Sequence, residues 1–337
     1  MSSAETSAAT IPLPASARIA VNDQVMVRIS GAGTDKFLQG QFSQQVTDVT
    51  EQYSPRAAAC SPKGRAYCLT RMVREGSDVL MALPSAFADE TITHLRKYLM
   101  LFRGTSMVVE TDALIIGLLG KKAANALVDG AAGNLPSPGD TLTVAGGHLI
   151  RAMDALGSAT GERIPRFEFW QTGELSADSS RLLSEVDSYG LATWQASEIA
   201  AGVPSLCAET RESYVPQMLN WQHLGGVHFK KGCYTGQEVI ARMHFLGQLK
   251  KSLFRFSSPQ AAGAPAPGAA LVKDGRSVGE VVNSVQFTDG TFEGLAVIRH
   301  DAAGSELALK QSPEIFLALL PLPYAVPERE QKAASDT

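Results

Sequence analysis

No two of the four cysteines, Cys60, Cys68, Cys207 and Cys233, stand at CxxC spacing. That argues against a zinc knuckle or a thioredoxin-type site, and no metal site is predicted. Free thiols in a chain of 337 residues fit a reducing compartment, so the expected location is the cytoplasm. No run of 18 apolar residues occurs, and neither a spanning helix nor a membrane partner is expected. No Lys or Arg precedes Arg18, which leaves out the basic start of a secretory signal and the arginines of a mitochondrial presequence. A net charge of −4 makes no global bid for nucleic acid, so any polyanion must be met by a local patch.

What is present is an ordinary globular composition, 45% hydrophobic and 19% charged, at a length that predicts two or three domains. Residues 1–16 are rich in Ala, Ser, Thr and Pro and read as a disordered segment; 326–337 read as a flexible polar tail. "IAVNDQVMVRIS" alternates as strands do. Thr34 or Asp35 is placed to cap a helix with Phe37, Leu38, Phe42 and Val46 at helical spacing. A hairpin region follows, with turns at Pro62-Lys63-Gly64 and Glu75-Gly76, then a helix whose apolar face is Phe87, Ile92, Leu95, Leu99 and Phe102.

A similar rhythm returns after residue 110: a buried strand "ALIIGLLG", a helix "KKAANALVDG" stopped by Gly130, strands "GGHLIRAM" and "PRFEFWQ", then helices "SSRLLSEVDSYG" and "ATWQASEIAAG". The expected plan is therefore an α+β unit at 17–247 in two similar halves, about 17–110 and 111–247. Residues 257–272 have linker composition. With hairpin turns at Asp274-Gly275 and Asp289-Gly290, residues 248–325 read as a small β-barrel.

The sharpest local feature is "FKKGCYTGQE", Phe229 to Glu238. Thr235-Gly236-Gln237-Glu238 has the form of a capping box, which would put Cys233 just ahead of a helix N-terminus with Lys230 and Lys231 beside it. Both features favour a thiolate. The other reading is a small loop residue flanked by solvated lysines. From Trp221 to Arg255 there are six basic residues and one acid, Glu238; from Ser54 to Arg74 there are five basic residues and no acid. Brought to one face, the two stretches would hold a polyglutamate tail or a phosphate backbone.

"YVPQMLNWQHLGGVHFKKGCYTGQEVIARMHFLGQLKKSL" closely resembles the signature of the YgfZ-type folate-binding proteins, relatives of the glycine-cleavage T-protein, an aminomethyltransferase. "ISGAGTDKFLQGQFSQQV", "CSPKGR" at 60–65 and "EIAAGVP" at 198–204 agree in order, so the resemblance runs from about 18 to 255. It implies an α+β fold: a duplicated folate-binding unit followed by a C-terminal Greek-key β-barrel, arranged as a ring. The implied cofactor is tetrahydrofolate or another folate, with Trp194, Lys231, Gly232, Tyr234, Gln237 and Glu238 as its contacts. Gln24 stands where the family has a second tryptophan, removing an indole stack worth about a kcal/mol.

The resemblance also implies a role in assembly or repair of iron–sulfur clusters, with cluster enzymes that thiolate tRNA as clients and Cys233 as the functional thiol, in transient contact with a cluster. That makes tRNA modification and processing the expected setting. The transferase relatives need an acid in the stretch corresponding to "SPKGRAYCLTRMV"; no Asp or Glu lies between Ser54 and Arg74, which argues against enzymatic activity. The alternative is a folate-dependent one-carbon transferase acting on an unknown donor. Direct tRNA contact through the basic stretches is a third reading, without the aromatic-rich basic sheet that stacks bases.

Overall fold

The computed structural model describes residues 8–326 apart from 159, 248, 259, 261 and 305. The chain opens with β1 (Ala17–Ala20) and β2 (Gln24–Ser30), then α1 (Thr34–Gln41). Strands β3 (Arg56–Cys60), β4 (Ala66–Glu75) and β5 (Asp78–Pro84) precede α2 (Ala88–Leu99) and β6 (Ser106–Val109). The second run is β7 (Leu114–Leu119), α3 (Gly120–Asn125), α4 (Ala131–Asn134), β8 (Thr141–Val144), β9 (Gly147–Leu156) and β10 (Arg163–Gln171). It continues with α5 (Ala177–Ser184), β11 (Ser188–Tyr189), α6 (Leu191–Ala200) and α7 (Gln237–Phe245). The barrel strands are β12 (Lys251–Ser258), β13 (Ala270–Lys273), β14 (Arg276–Gln286), β15 (Phe292–Arg299), β16 (Leu307–Leu309) and β17 (Ser312–Leu320).

Two sheets form the α+β unit. One has the order β3-β4-β5-β2-β6, the other β11-β1-β7-β10-β9-β8. The halves are interlaced rather than divided at residue 110: β1 leaves the first half to pair antiparallel with β7 and parallel with β11. Helix α2 shows why these segments fold as they do. Ile92, Leu95 and Leu99 bury one face, while Asp89 and Glu90 in the first turn and Arg96 and Lys97 in the last oppose the helix dipole with the right signs. Met26, Val73, Leu80, Ile115, Trp170 and Trp194 form the core that joins the two sheets. The C-terminal strands close as β12-β15-β14-β13-β16-β17, and Arg255 of β12 donates to the Leu156 carbonyl at 2.7 Å, tying barrel to sheet.

Several local expectations are corrected. Helix α1 is capped by Gly33, with no side-chain cap, and Asp35 is instead paired with Arg74 at 2.9 Å. Helix α3 ends at Asn125, and Gly130, at φ 71°, opens α4 rather than closing α3. Helix α5 stops at Ser184, because Ser188–Tyr189 is drawn into the sheet beside β1. The linker-like composition at 257–272 belongs inside the barrel, as the connection from β12 to β13. The N-terminal segment expected to be disordered is tied down where it is described: Ala9 is fully buried and exchanges two 2.9 Å backbone hydrogen bonds with Gln286 and Thr288. Residues 1–7 and 327–337 lie outside the described residues. No helix among those described is long and apolar enough to cross a membrane.

Candidate functional site

All three tryptophans of the chain, Trp170, Trp194 and Trp221, line one cavity of ≈ 60 Å³ together with Arg56, Arg71, Glu168 and Glu198. Strand pairing places Arg56 of β3 directly opposite Arg71 of β4. Like charges at such a pair repel, and Glu168 from β10 of the other sheet answers them. Arg71 grips both its oxygens at 3.0 Å and donates to the Ser54 carbonyl at 2.6 Å, while the Trp170 indole N–H donates to the same carboxylate at 3.1 Å. Burial raises the pKa of Glu168, but Arg71 and then Arg56 outweigh it and hold the group at about 2, ionised at neutral pH.

Trp194 is buried in this wall. The Arg166 guanidinium lies 4.2 Å over its ring and is itself held by Ser197 and Glu198. Gly117 packs so closely that a Cβ there would overlap the indole. Gln24 lines the same cavity. Of the five bases in the acid-free stretch from Ser54, Arg71 is buried and Arg56 lines the cavity, while Lys63 is exposed at the surface.

The Cys233 loop is a second, separate place. It is strapped to the C-terminal end of α1 and the residues just beyond. Gln44 donates to the Gly225 carbonyl at 2.8 Å, the His228 N–H to the Ser43 carbonyl at 2.9 Å, and the Thr235 N–H to the Gly40 carbonyl at 3.1 Å. The Lys231 ammonium is buried and donates to the carbonyls of Gln39, Phe42 and Gln44 at 2.8, 2.5 and 2.7 Å. Burial pushes its pKa down to about 7, while three carbonyls accepting from the charged form act the other way. Gly236, at φ 85°, sets its backbone against the "CSPKGR" turn, where a Cβ would come within 2.6 Å of the Ser61 carbonyl oxygen.

This arrangement corrects the expected capping box and the expected charges. The N-cap of α7 is Gly236 with no side-chain cap, and the Gln237 amide reaches back to the Lys231 carbonyl at 3.2 Å. Lys231 spends its charge on α1, not on an anion beside Cys233. Tyr234 is buried with Lys231 4.8 Å over its ring. Gly232 and Cys233 are exposed, and Glu238, 88% exposed, pairs with Arg242 one turn on. None of Lys231, Gly232, Cys233, Tyr234, Gln237 and Glu238 lines the cavity that Trp194 lines. Of the six basic residues between Trp221 and Arg255, Lys231 and Arg255 are buried.

Sequence reasoning missed Glu168, Glu198, Trp170 and Trp221. A signal for the first existed: in "PRFEFWQ" a carboxylate stands among three aromatic residues, two positions from Arg166, in a strand whose pattern predicts burial. Among the described residues, no group of three or more His, Cys, Asp or Glu is placed to hold a metal ion.

Two α+β sheets joined to a closed barrel define a fold class. The structure matches the glycine cleavage system aminomethyltransferase T from Bartonella henselae at a TM-score of 0.68, with 15% identity, over 94% of this chain and 90% of that one. Within that class the chain belongs to the YgfZ family. It is 30% identical over 317 residues to the tRNA-modifying protein YgfZ of Cronobacter sakazakii, covering 92% of this chain and 93% of the relative. It is 29% identical over 315 residues, with the same coverage, to the protein of that name from Yersinia pseudotuberculosis. No protein-family profile matches the chain.

Proposed function

We propose that the chain is a tetrahydrofolate-binding accessory factor in iron–sulfur cluster assembly or repair, supporting cluster enzymes that include tRNA-modifying ones. The observation that carries the reading is the strapped loop. A thiol, Cys233, is held exposed on the strapped loop, whereas Cys60 and Cys68 are buried, which pushes both thiols up, Cys68 to about 12, and Cys207 is half-buried with its sulfur 3.2 Å from the Thr210 hydroxyl. Cys233 is thus the thiol offered to a partner. One thiolate supplies one of the four ligands an ordinary cluster takes, so a cluster would be cargo shared with a client or a small thiol.

The cavity suits the polar edge of a folate in chemistry. Glu168 is an acceptor for ring N–H donors, and Arg56, which lines the cavity beside it, supplies a cation for a ring oxygen once the walls move apart. When bound, the folate supplies a carrier for one-carbon units. At ≈ 60 Å³ the cavity must widen around the fused ring.

A one-carbon transferase would need a free base. Both cavity carboxylates are engaged, Glu168 by Arg71 and Glu198 by Arg166, which favours the non-enzymatic reading. The link to tRNA then runs through a client enzyme in the cytoplasm. Replacing Cys233 with Ala should impair tRNA thiolation in cells; full thiolation with that variant sinks the thiol role.

A further inference from the structure

The loop that carries Cys233 folds back along α7. The Phe229 ring stacks on His244 at 3.6 Å, with the planes 9° apart, and meets Phe245 edge-on at 6.5 Å. The residue that opens the loop thus touches the far end of the helix that the loop leads into. The nine residues of α7 span about 14 Å, and loop and helix form one closed hairpin. At the end of that helix two large apolar side chains stand in water. Phe245 is 65% exposed and Leu246 85%, the highest value for a large apolar residue among those described. Ile240, fully buried, already supplies the inward face of α7, so this pair is not spent on the core.

Bases surround the pair. Lys230 on the loop, Arg242 on α7, and Lys250 and Lys251 just beyond it are exposed. So is Lys63, on the turn whose Gly64 packs against Val239 of α7. Of the acids on these segments and beside them, Glu238 is ion-paired with Arg242, and Asp48 lies 3.8 Å from His228 Nε2. The bases outnumber them in a chain whose net charge is −4.

We propose that this hairpin is the docking face for the client protein, which presents an acidic surface with an apolar pocket for Leu246 and Phe245. The proposal rests on the accessory role proposed above and names what the client must offer. An apolar centre within a charged rim is the plan of a protein interface. The cations steer the partner in, and the apolar pair holds it. A nucleic-acid backbone would use the bases and leave Leu246 idle. An anionic membrane would call for an apolar face along the helix, whereas α7 turns Ile240 inward. A partner seated here touches the hairpin that presents Cys233.

The probe is a purified tRNA-thiolating iron–sulfur enzyme, titrated with the full chain at low and high salt. Leu246→Ser should weaken binding about tenfold or more with an unchanged melting temperature, and Leu246→Met should retain most of it. Lys250→Glu should slow association several-fold at low salt, an effect that fades as salt rises. Equal binding by wild type and Leu246→Ser, or no binding by either, overturns the proposal. If Cys233→Ala abolishes thiolation in cells while Leu246→Ser leaves it whole, the docking face falls and the thiol role stands. If Leu246→Ser loses the enzyme while Cys233→Ala thiolates fully, the docking face stands and the thiol role falls. Three further arms identify other occupants, and each overturns the proposal if Leu246→Ser or Lys250→Glu abolishes its signal while enzyme binding persists. They are filter binding of tRNA, flotation with phosphatidylglycerol vesicles, and sedimentation for a second copy of the chain.

Discussion

The ammonium of Lys231 donates to the backbone carbonyl of Gln44 at 2.7 Å, across 187 residues of chain. With the carbonyls of Gln39 and Phe42 as its other acceptors, it answers oxygens that the end of α1 leaves without helical partners. The lysine of the Lys-Gly-Cys-Tyr motif is a clasp on the loop that carries the thiol.

Lys231→Met should therefore leave three inward carbonyls without their donor. The expected loss is about 2 kcal/mol in urea unfolding, with faster alkylation of Cys233 as the loop loosens. Unchanged stability together with an unchanged alkylation rate would refute the clasp.

Gly236→Ala forces a side chain onto a backbone at φ 85° and into the Ser61 carbonyl oxygen at 2.6 Å. Strain and overlap together should cost about 2 kcal/mol or more. A melting temperature equal to wild type would show that the two motif turns do not meet as described.

Glu168 gives a pH dependence with a definite sign. Its folded pKa, about 2, lies below the 4.5 of a free glutamate, so its contribution is present above pH 4.5 and is lost as pH falls toward 2. The contribution is of the order of 3 kcal/mol at neutral pH. Other depressed carboxylates, such as Glu75 held by Arg28, slope the same way. The check is the difference between wild type and Glu168→Gln in acid unfolding: the variant should be less stable at pH 7 and converge with wild type near pH 2.

Glu238→Gln removes a carboxylate that is ion-paired with Arg242 at the surface. Stability should change by less than about 0.5 kcal/mol, and folate affinity should not change. A large loss of affinity, measured by fluorescence titration, would return Glu238 to the binding site.

The periodic elements were legible in the sequence because burial alone dictates them. Helix α2 and the strands β2, β7, β9 and β10 carry their spacing openly. The turns at Gly64, Gly76 and Asp274-Gly275 were legible because a positive φ selects those residues. What could not be read was which partner each polar group finds across long stretches of chain. Lys231 looks like surface charge until α1 lies against it. Arg71 looks like part of a basic patch until β10 brings Glu168. Nothing in the sequence around Trp194 shows that the Arg166 guanidinium lies over its ring. Each of these depends on contacts between elements far apart in sequence, which local spacing does not encode.

The placement of β1 has a consequence for how the chain is made. Ala17–Ala20 leaves the ribosome before any of its strand partners exist: Arg18 pairs with Leu118 on one side and Ser188 on the other. The first sheet can close around β2 early, but the second must wait for most of the α+β unit to be synthesised. Such long-range pairing slows folding and keeps an unpaired strand exposed in the nascent chain. A fragment cut at residue 110 would carry that strand with no sheet to receive it, and a fragment starting at 111 would lack the strand that β7 and β11 share.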